Sequence, residues 1–374
     1  MAKRDAIEKV IRKFCSPPEW DEINGCSSLD ILVIRNNDIG DLILTTPLFQ
    51  ALKDLFPNST LHVGIGDWNK GLLDHNPHVD QVVPLNAPWH NKVSCKHSPN
   101  SPLGFLQSML YVLSSPETRA IRTAKYGLGI DVLGSQEGSV LMHRCGIPRR
   151  MGAKGYGGGY TGCQKFREFQ MEQSVPLSIL EYAKMLGMQP SALPSPKPQL
   201  HLSPAESNQG LAHWEGGRGK ARIVVSTGAG FPEKCWPARS FAQVVEGLAK
   251  EPHNQIIFVG SKADQAQGKE LKEISPGLVN LAGSTRLRET FAIISHADLV
   301  ICNSTMFMHA AAAFEIPNLV LLGPWYDSAE LHNSQWGHPH TQILGREVNA
   351  GCDEMATPAE VLRLARDILG KGTS

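Results

Sequence analysis

The sequence predicts an α/β protein made of two doubly wound halves, and three observations carry that reading. The chain has 374 residues, enough for two domains of about 150 residues each. Short β-branched runs alternate with helical patterns, which is the order of βαβ units and parallel sheets. The rhythm stops at 189–219, where Pro190, Pro194, Pro196, Pro198, Pro204 and the Gly216-Gly217 pair fall without sustained periodicity, and then it restarts.

Residues 5–15, DAIEKVIRKFC, place Ile7, Val10, Ile11 and Phe14 on one helical face, and Ser16-Pro17-Pro18 ends that helix. In the first half, strands are expected at 31–34, 61–65, 81–85 and 128–133, and helices at 41–55, 103–122, 136–145 and 175–187. In the second half, strands are expected at 222–226, 255–259, 278–281, 299–302 and 319–322, with helices at 238–249, 264–274, 285–295 and 306–314 and a last one at 358–369. The expected organisation is an appended helix and loop at 1–28, a Rossmann-like domain at 29–190, a linker at 191–219, a second Rossmann-like domain at 220–356 and a terminal helix in 357–374. Ligands of open α/β sheets bind beyond the carboxyl ends of the strands, so two such sheets are expected to work in the cleft between them.

Composition narrows the function. Lys plus Arg is 36 and Asp plus Glu is 36, so the chain as a whole carries no nucleic-acid or membrane-surface footprint, and any electrostatic specialisation must be local. Eight cysteines lie scattered without a CxxC pair or a His-Cys cluster, which argues against zinc, redox-motif and disulfide-scaffold readings and fits reduced thiols in a cytoplasm. Met1-Ala-Lys-Arg leads into Asp5, Glu8 and Lys9 rather than an apolar stretch, so neither a signal peptide nor a membrane-spanning helix is expected. Locally the balance breaks: residues 86–170 hold eleven Lys/Arg against four acids, a net +7, together with GYGGGYTG at 155–162, a mobile loop by composition. That segment is either a solvated basic face or a flexible positive site for an anionic acceptor.

Three places carry chemistry. After the first strand, Gly40 turns the chain and Asp41 opens a helix, either as a helix N-terminal acid or as a carboxylate placed to take a proton; Asp38 is a weaker candidate for the same role. The second half opens with ARIVVSTGAGFPEKCWP, where Gly228 and Gly230 let backbone amides approach an anion and Lys234 supplies a compact positive charge, unless it is simply solvated. In LVICNSTMFMHAAAAFEIPNLVLLGP a strand ends at Asn303-Ser304-Thr305 and a helix follows with His309 near its start. These groups are either a phosphate cradle or a helix cap beside a packed histidine. No Asp-x-Asp and no cluster of metal-ligand spacing is present, so no metal and no cofactor are expected.

The ordered motifs RNNDIGDLILTTPLFQALKDLFP, HNPHVDQVV, GAGFPEKCWP, LAGSTRLRETFAIISHADLVICNS and MHAAAAFEIPNLVLLGP together resemble the ADP-heptose:lipopolysaccharide heptosyltransferases, glycosyltransferase family 9, over roughly 29–370. The resemblance implies a GT-B fold in which the first domain would take the acceptor, the second would take the nucleotide sugar, and the final helix would cross back to the first domain. It implies an inverting, metal-independent, cytoplasmic transferase of lipopolysaccharide biosynthesis that moves a heptose from an ADP-heptose or related nucleotide-sugar donor to a hydroxyl of an anionic glycan or glycolipid, with peripheral membrane contact through that acceptor. Asp41 would be the general base, Thr227 and Gly228 would lie against the donor, and Lys234, Ser304, Thr305 and His309 would shape its diphosphate site. Where the family usually reads Asn-Asp-Ser/Thr-Gly-Pro-Met-His, this chain reads Asn303-Ser304-Thr305-Met306-Phe307-Met308-His309, so the acid, the glycine and the proline are replaced. The alternatives are a transferase with another nucleotide sugar or a small aminocyclitol-like acceptor, a nucleotide-sugar epimerase, and a non-catalytic sugar-nucleotide-binding protein.

Overall fold

A computed structural model describes every residue except 1–8, 10, 22, 24–28, 92, 99–100, 156–157, 171, 215–219 and 372–374. The chain divides into two units, Met1–Pro196 and Lys197–Ser374, each built on one six-stranded sheet.

The first unit contains β1 (Asp30–Ile34), α1 (Ile39–Leu55), β2 (Thr60–Ile65), β3 (Gln81–Pro84), α2 (Pro102–Ser114), α3 (Pro116–Ala124), β4 (Leu128–Asp131), α4 (Gln136–Arg144), β5 (Arg149–Lys154), β6 (Lys165–Glu168) and α5 (Val175–Met185). Its strand order is β3-β2-β1-β4-β5-β6, and every pairing is parallel. The central strand β1 is buried on both faces, as a parallel strand covered by helices must be: Ile31, Leu32, Val33 and Ile34 are all fully buried. Leu32 and Ile34 pack with Leu85, Trp89, Val112, Ile121, Leu141 and Met142, and burial of each such side chain contributes about 1.5 to 3 kcal/mol.

The second unit contains α6 (Pro204–Ala212), β7 (Ala221–Ser226), α7 (Ala238–Ala249), β8 (Asn254–Phe258), α8 (Gln265–Ile274), β9 (Val279–Asn280), α9 (Leu287–Ile294), β10 (Leu299–Asn303), α10 (Met306–Ala313), β11 (Asn318–Leu321), α11 (Ala329–Trp336), β12 (Thr341–Leu344) and α12 (Pro358–Lys371). Its order, β12-β11-β10-β7-β8-β9, is again all parallel. Counted within each unit, both sheets have the doubly wound order 3-2-1-4-5-6, which places a switch point between the first and fourth strands. In the first unit that point lies beyond Ile34 and Asp131, and in the second beyond Ser226 and Asn303.

Several expectations need correction. The single helix expected at 103–122 is two, because Pro116 starts a new helix and the Ser115 hydroxyl caps it at Thr118 N–H. Strands β5, β6 and β12 were not anticipated, nor was α11. The stretch read as linker holds α6, with a reciprocal Ser203/Glu206 capping box. In the glycine-rich loop, Tyr156 and Gly157 lie outside the described residues, while Gly159–Gly162 is a 3-10 turn packed on α4. A Cβ at Gly159 would meet the Ser135 carbonyl at 2.0 Å, so the glycine serves close packing as well as turning. In the N-terminal helix, Ile7 and Val10 lie outside the described residues; Ile11 is buried and Phe14 is exposed. The last helix, α12, packs on α7 with Val361 and Ala365 in the core of the second unit.

Candidate active site

At the first switch point, the four residues between β1 and α1 are pinned by their neighbours. The Asn36 amide donates to the Trp89 carbonyl at 3.1 Å and the Asn37 amide to the His90 carbonyl at 3.5 Å. The Asn37 carbonyl in turn accepts from Trp68 Nε1 at 2.7 Å and Asn69 Nδ2 at 3.0 Å. Asp38 is the N-cap of α1 by backbone geometry, without a side-chain cap bond, and Asp41 lies in the first turn. The Arg35 guanidinium, 5% exposed, holds one Asp41 carboxylate oxygen at 3.1 Å and bonds the Asp41 carbonyl through Nε at 3.3 Å. The Asp41 side chain stays 28% exposed, so the carboxylate is oriented from below and open to a ligand from above.

Asp131, at the end of β4 across the switch point, is fully buried. Burial pushes its carboxyl up, opposed by hydrogen bonds from the Ser135 hydroxyl and backbone and by the Arg35 charge. Leu133 N–H, Ser135 N–H and Ser135 Oγ–H all donate to it, so it fixes the turn into α4 rather than facing a ligand. Glu137, one turn on, is also pushed up by burial, and it lies 3.9 Å from His90 Nε2.

At the second switch point one amide organises the loops. Asn303, fully buried, donates to the Thr227 carbonyl at 2.6 Å and accepts from Trp236 N–H at 2.9 Å, joining the ends of β7 and β10 to the segment that carries Lys234. The Lys234 ammonium sits among three aromatic rings, 4.4 Å from the centre of Trp325, 4.8 Å from Phe231 and 5.7 Å from Tyr326. Such contacts favour a cation by about 0.5 to 2 kcal/mol and fix where it stands. Ser304 Oγ shares a 2.7 Å hydrogen bond with His332 Nε2, and the Tyr326 hydroxyl also bonds Ser304. Burial and the Lys234 charge hold the His332 imidazole at about 4, so it is neutral near pH 7.

The expected donor residues come together unevenly. Lys234 and Ser304 belong to one cluster through His332 and Tyr326. Thr305 caps α10, accepting from Phe307 N–H at 3.4 Å. The Thr227 hydroxyl donates to Gln267 at 2.7 Å and is only 3% exposed, so its backbone, not its hydroxyl, faces the switch point. Gly228 lies against Asp264, whose carboxylate a Cβ would meet at 2.7 Å. His309 is buried and bonded through Nδ1 to His338 Nε2 at 3.0 Å. Burial and the neighbouring His338 and His332 push its imidazole well below the ordinary range, so the ring is neutral near pH 7. Sequence reasoning missed Arg35, Asn303 as a clamp, the three rings around Lys234, and His332 and His338. Arg35 and Asn303 had a usable signal, since each adjoins the carboxyl end of a strand beside a switch point. Among the described residues no group of three or more His, Cys, Asp and Glu could hold a metal ion, and no helix is long and apolar enough to cross a membrane.

Comparison with known proteins gives one consistent result. The profile of glycosyltransferase family 9 (heptosyltransferase) matches residues 117–361. The lipooligosaccharide heptosyltransferase 2 of Haemophilus influenzae is 27% identical over 314 residues, covering 79% of this chain and 84% of that protein. Among solved structures, the ADP-heptose lps heptosyltransferase II of Escherichia coli superposes with a TM-score of 0.72 at 22% identity, over 92% of this chain and 100% of that one. The glycosyl transferase family 9 protein of Veillonella parvula gives 0.73 at 18% identity, over 95% and 100%. The fold shared with these structures is GT-B, two Rossmann-like units in one chain.

Proposed function

Because the chain belongs to glycosyltransferase family 9, the heptosyltransferases, and is therefore a glycosyltransferase, we propose that it moves a heptose from ADP-heptose to a hydroxyl of a lipopolysaccharide-core-type acceptor at the cytoplasmic face of the membrane. The reaction is a single displacement with inversion at the anomeric carbon and needs no metal. The acceptor oxygen gives its proton to Asp41 as it bonds to the anomeric carbon, and the bond from that carbon to the diphosphate oxygen breaks. ADP leaves with the extra negative charge.

The observation that carries this reading is the Arg35–Asp41 pair: a carboxylate at a strand's carboxyl end, held by a buried guanidinium and still partly open. A general base needs a fixed position within reach of the proton it takes. On the donor side, charge developing on the diphosphate is met by Lys234, by the amides at the start of α10 and by the Ser304 hydroxyl, while His309 and His332 act as neutral partners. Preorganised donors of this sort contribute about 3 to 4 kcal/mol each to transition-state stabilisation.

The test is ADP release from ADP-heptose with a core acceptor. Asp41→Asn keeps the shape and loses the base, so kcat should fall about 100-fold or more with donor binding little changed. Wild-type activity should persist in EDTA. Near-normal kcat in the variant would remove Asp41 from the mechanism, and full EDTA inactivation reversed by a divalent ion would remove metal independence.

A second reading is favoured by one observation. Ser304 and Met306 stand where the family has an acid and a glycine, and Ser304 is committed to His332 and Tyr326. A different nucleotide sugar is the alternative donor; a thermal-shift panel separates the two, because a ligand at 100 times its Kd adds about 2.7 kcal/mol of apparent stability.

A further inference from the structure

Helix α2 has its amphipathic pattern reversed. Its small residues Gly104 and Ser108, with Val112, are buried at spacing i, i+4, i+8 and face the protein. Its large residues face outward: Leu103 is 59% exposed, Leu106 53%, Leu110 55% and Leu113 60%. Their 3-4-3 spacing lines them along one face. A surface helix normally turns its large apolar residues inward, and an exposed apolar ridge about 15 Å long marks an interaction site. The helix carries no Asp, Glu, Lys, Arg or His.

The charge around it selects the occupant. Among the described residues between Leu85 and Tyr126 there are four Lys/Arg (96, 119, 122, 125) and one acid, Glu117. Glu117 is turned to Tyr111 and to the backbone and side chain of Asn86, so it does not offset the outward charge. Helix α3, joined to α2 through Ser115 alone, displays Arg119 and Arg122 on its exposed side and ends at exposed Lys125. An apolar face with a basic border is the pattern of a helix lying in the headgroup region of an anionic bilayer. A second copy of this chain would set like charge against like.

We propose that α2 docks this protein on an anionic lipid surface, with Leu103, Leu106, Leu110 and Leu113 entering the acyl boundary and Arg119, Arg122 and Lys125 meeting headgroup phosphates. The inference deepens the functional reading only in purpose, since a glycolipid acceptor resides in such a surface; the binding itself is independent of turnover.

The test is co-sedimentation of the full chain with vesicles of phosphatidylcholine alone and of phosphatidylcholine mixed with phosphatidylglycerol. The wild type should bind the mixed vesicles, bind pure phosphatidylcholine far less, and lose binding as salt rises. Leu106→Glu with Leu110→Glu should cut partitioning at least about tenfold, and so should Arg119→Glu with Arg122→Glu. Thermal melts should stay at wild-type values in both, and turnover on a delipidated acceptor should stay at the wild-type value in the leucine variant. Failure of the wild type to bind mixed vesicles, or equal binding by the variants, overturns the proposal. So does a wild-type dimer in sedimentation velocity that the leucine changes dissociate without any vesicle binding, which would give the face to a second copy. Vesicle binding by a protein that shows no heptosyl transfer would leave the docking face standing and remove the functional reading; transfer without vesicle binding would do the reverse.

Discussion

Asn303 satisfies two backbone groups with one buried side chain, and so the position of Lys234 depends on an amide that never needs to touch the donor. Asn303→Ala leaves the Trp236 N–H and the Thr227 carbonyl unpaired in a buried setting, at about 1 to 3 kcal/mol for each. The expected outcome is a lower Tm together with a raised KM for the donor, because the Lys234 segment loses its tie to β10. A melt and a donor titration on the same preparation check this; a variant that loses stability but keeps the wild-type KM would show that the clamp does not position Lys234. Asp41, Lys234 and Ser304 were legible in the sequence because each sits in a short motif at the end of a strand. The ring cage was not, because Phe231 and Trp325 are far apart in the chain and meet only when the Gly323 and Trp325 amides bond back to the Lys234 and Glu233 carbonyls. Arg35 was passed over because an arginine after a strand reads as a solvated end, whereas the structure buries it.

At the scale of elements, α6 is strapped to α9. Arg288 forms a two-pronged ion pair with Glu206, His213 meets Glu289 at 2.8 Å, and Trp214 Nε1 donates to the Ile293 carbonyl at 3.2 Å. The helices approach closely at Gly210, where a Cβ would fall 2.3 Å from the Ala292 backbone. In an open helix Gly→Ala is stabilising by about 1 kcal/mol, but here the helices must part, so Gly210→Ala should destabilise by about 1 to 3 kcal/mol. A urea midpoint at or above wild type would show that α6 is free to move. The sequence carried a signal for α6 in Ser203-Pro-Ala-Glu206, obscured by the surrounding prolines. Strand β5, RRMGAK, lacks a β-branched run and hides a fully buried Arg150, and β6 and β12 lie at sheet edges, where the apolar pattern thins. The inner strands rich in β-branched residues, β1, β7 and β10, by contrast, read almost residue for residue.

For the whole molecule, three buried histidines of the second unit, His309, His332 and His338, give stability a dependence on pH. Burial holds His332 and His338 at about 4 and His309 well below its ordinary range, while an unfolded histidine titrates near about 6.5. The unfolded chain therefore takes up protons first as pH falls. The stability that the neutral rings provide is complete above about pH 6.5 and is lost toward about pH 4, up to about 3 kcal/mol for His332 alone. Glu206, held at about 2 chiefly by its hydrogen bonds from Arg288, extends the loss: its contribution is complete above about pH 4.5 and declines below. Amide protection in α10 and α11 should fall between about pH 6.5 and about pH 4, and less steeply in His332→Gln. Protection that stays level across that window would exclude neutral buried imidazoles.

The identical winding of the two sheets bears on how such a protein can change over generations. A crossover in the gene at the Pro196/Lys197 boundary leaves both sheets and both switch points whole. Heredity can therefore exchange one half against a relative's without breaking a single strand pairing.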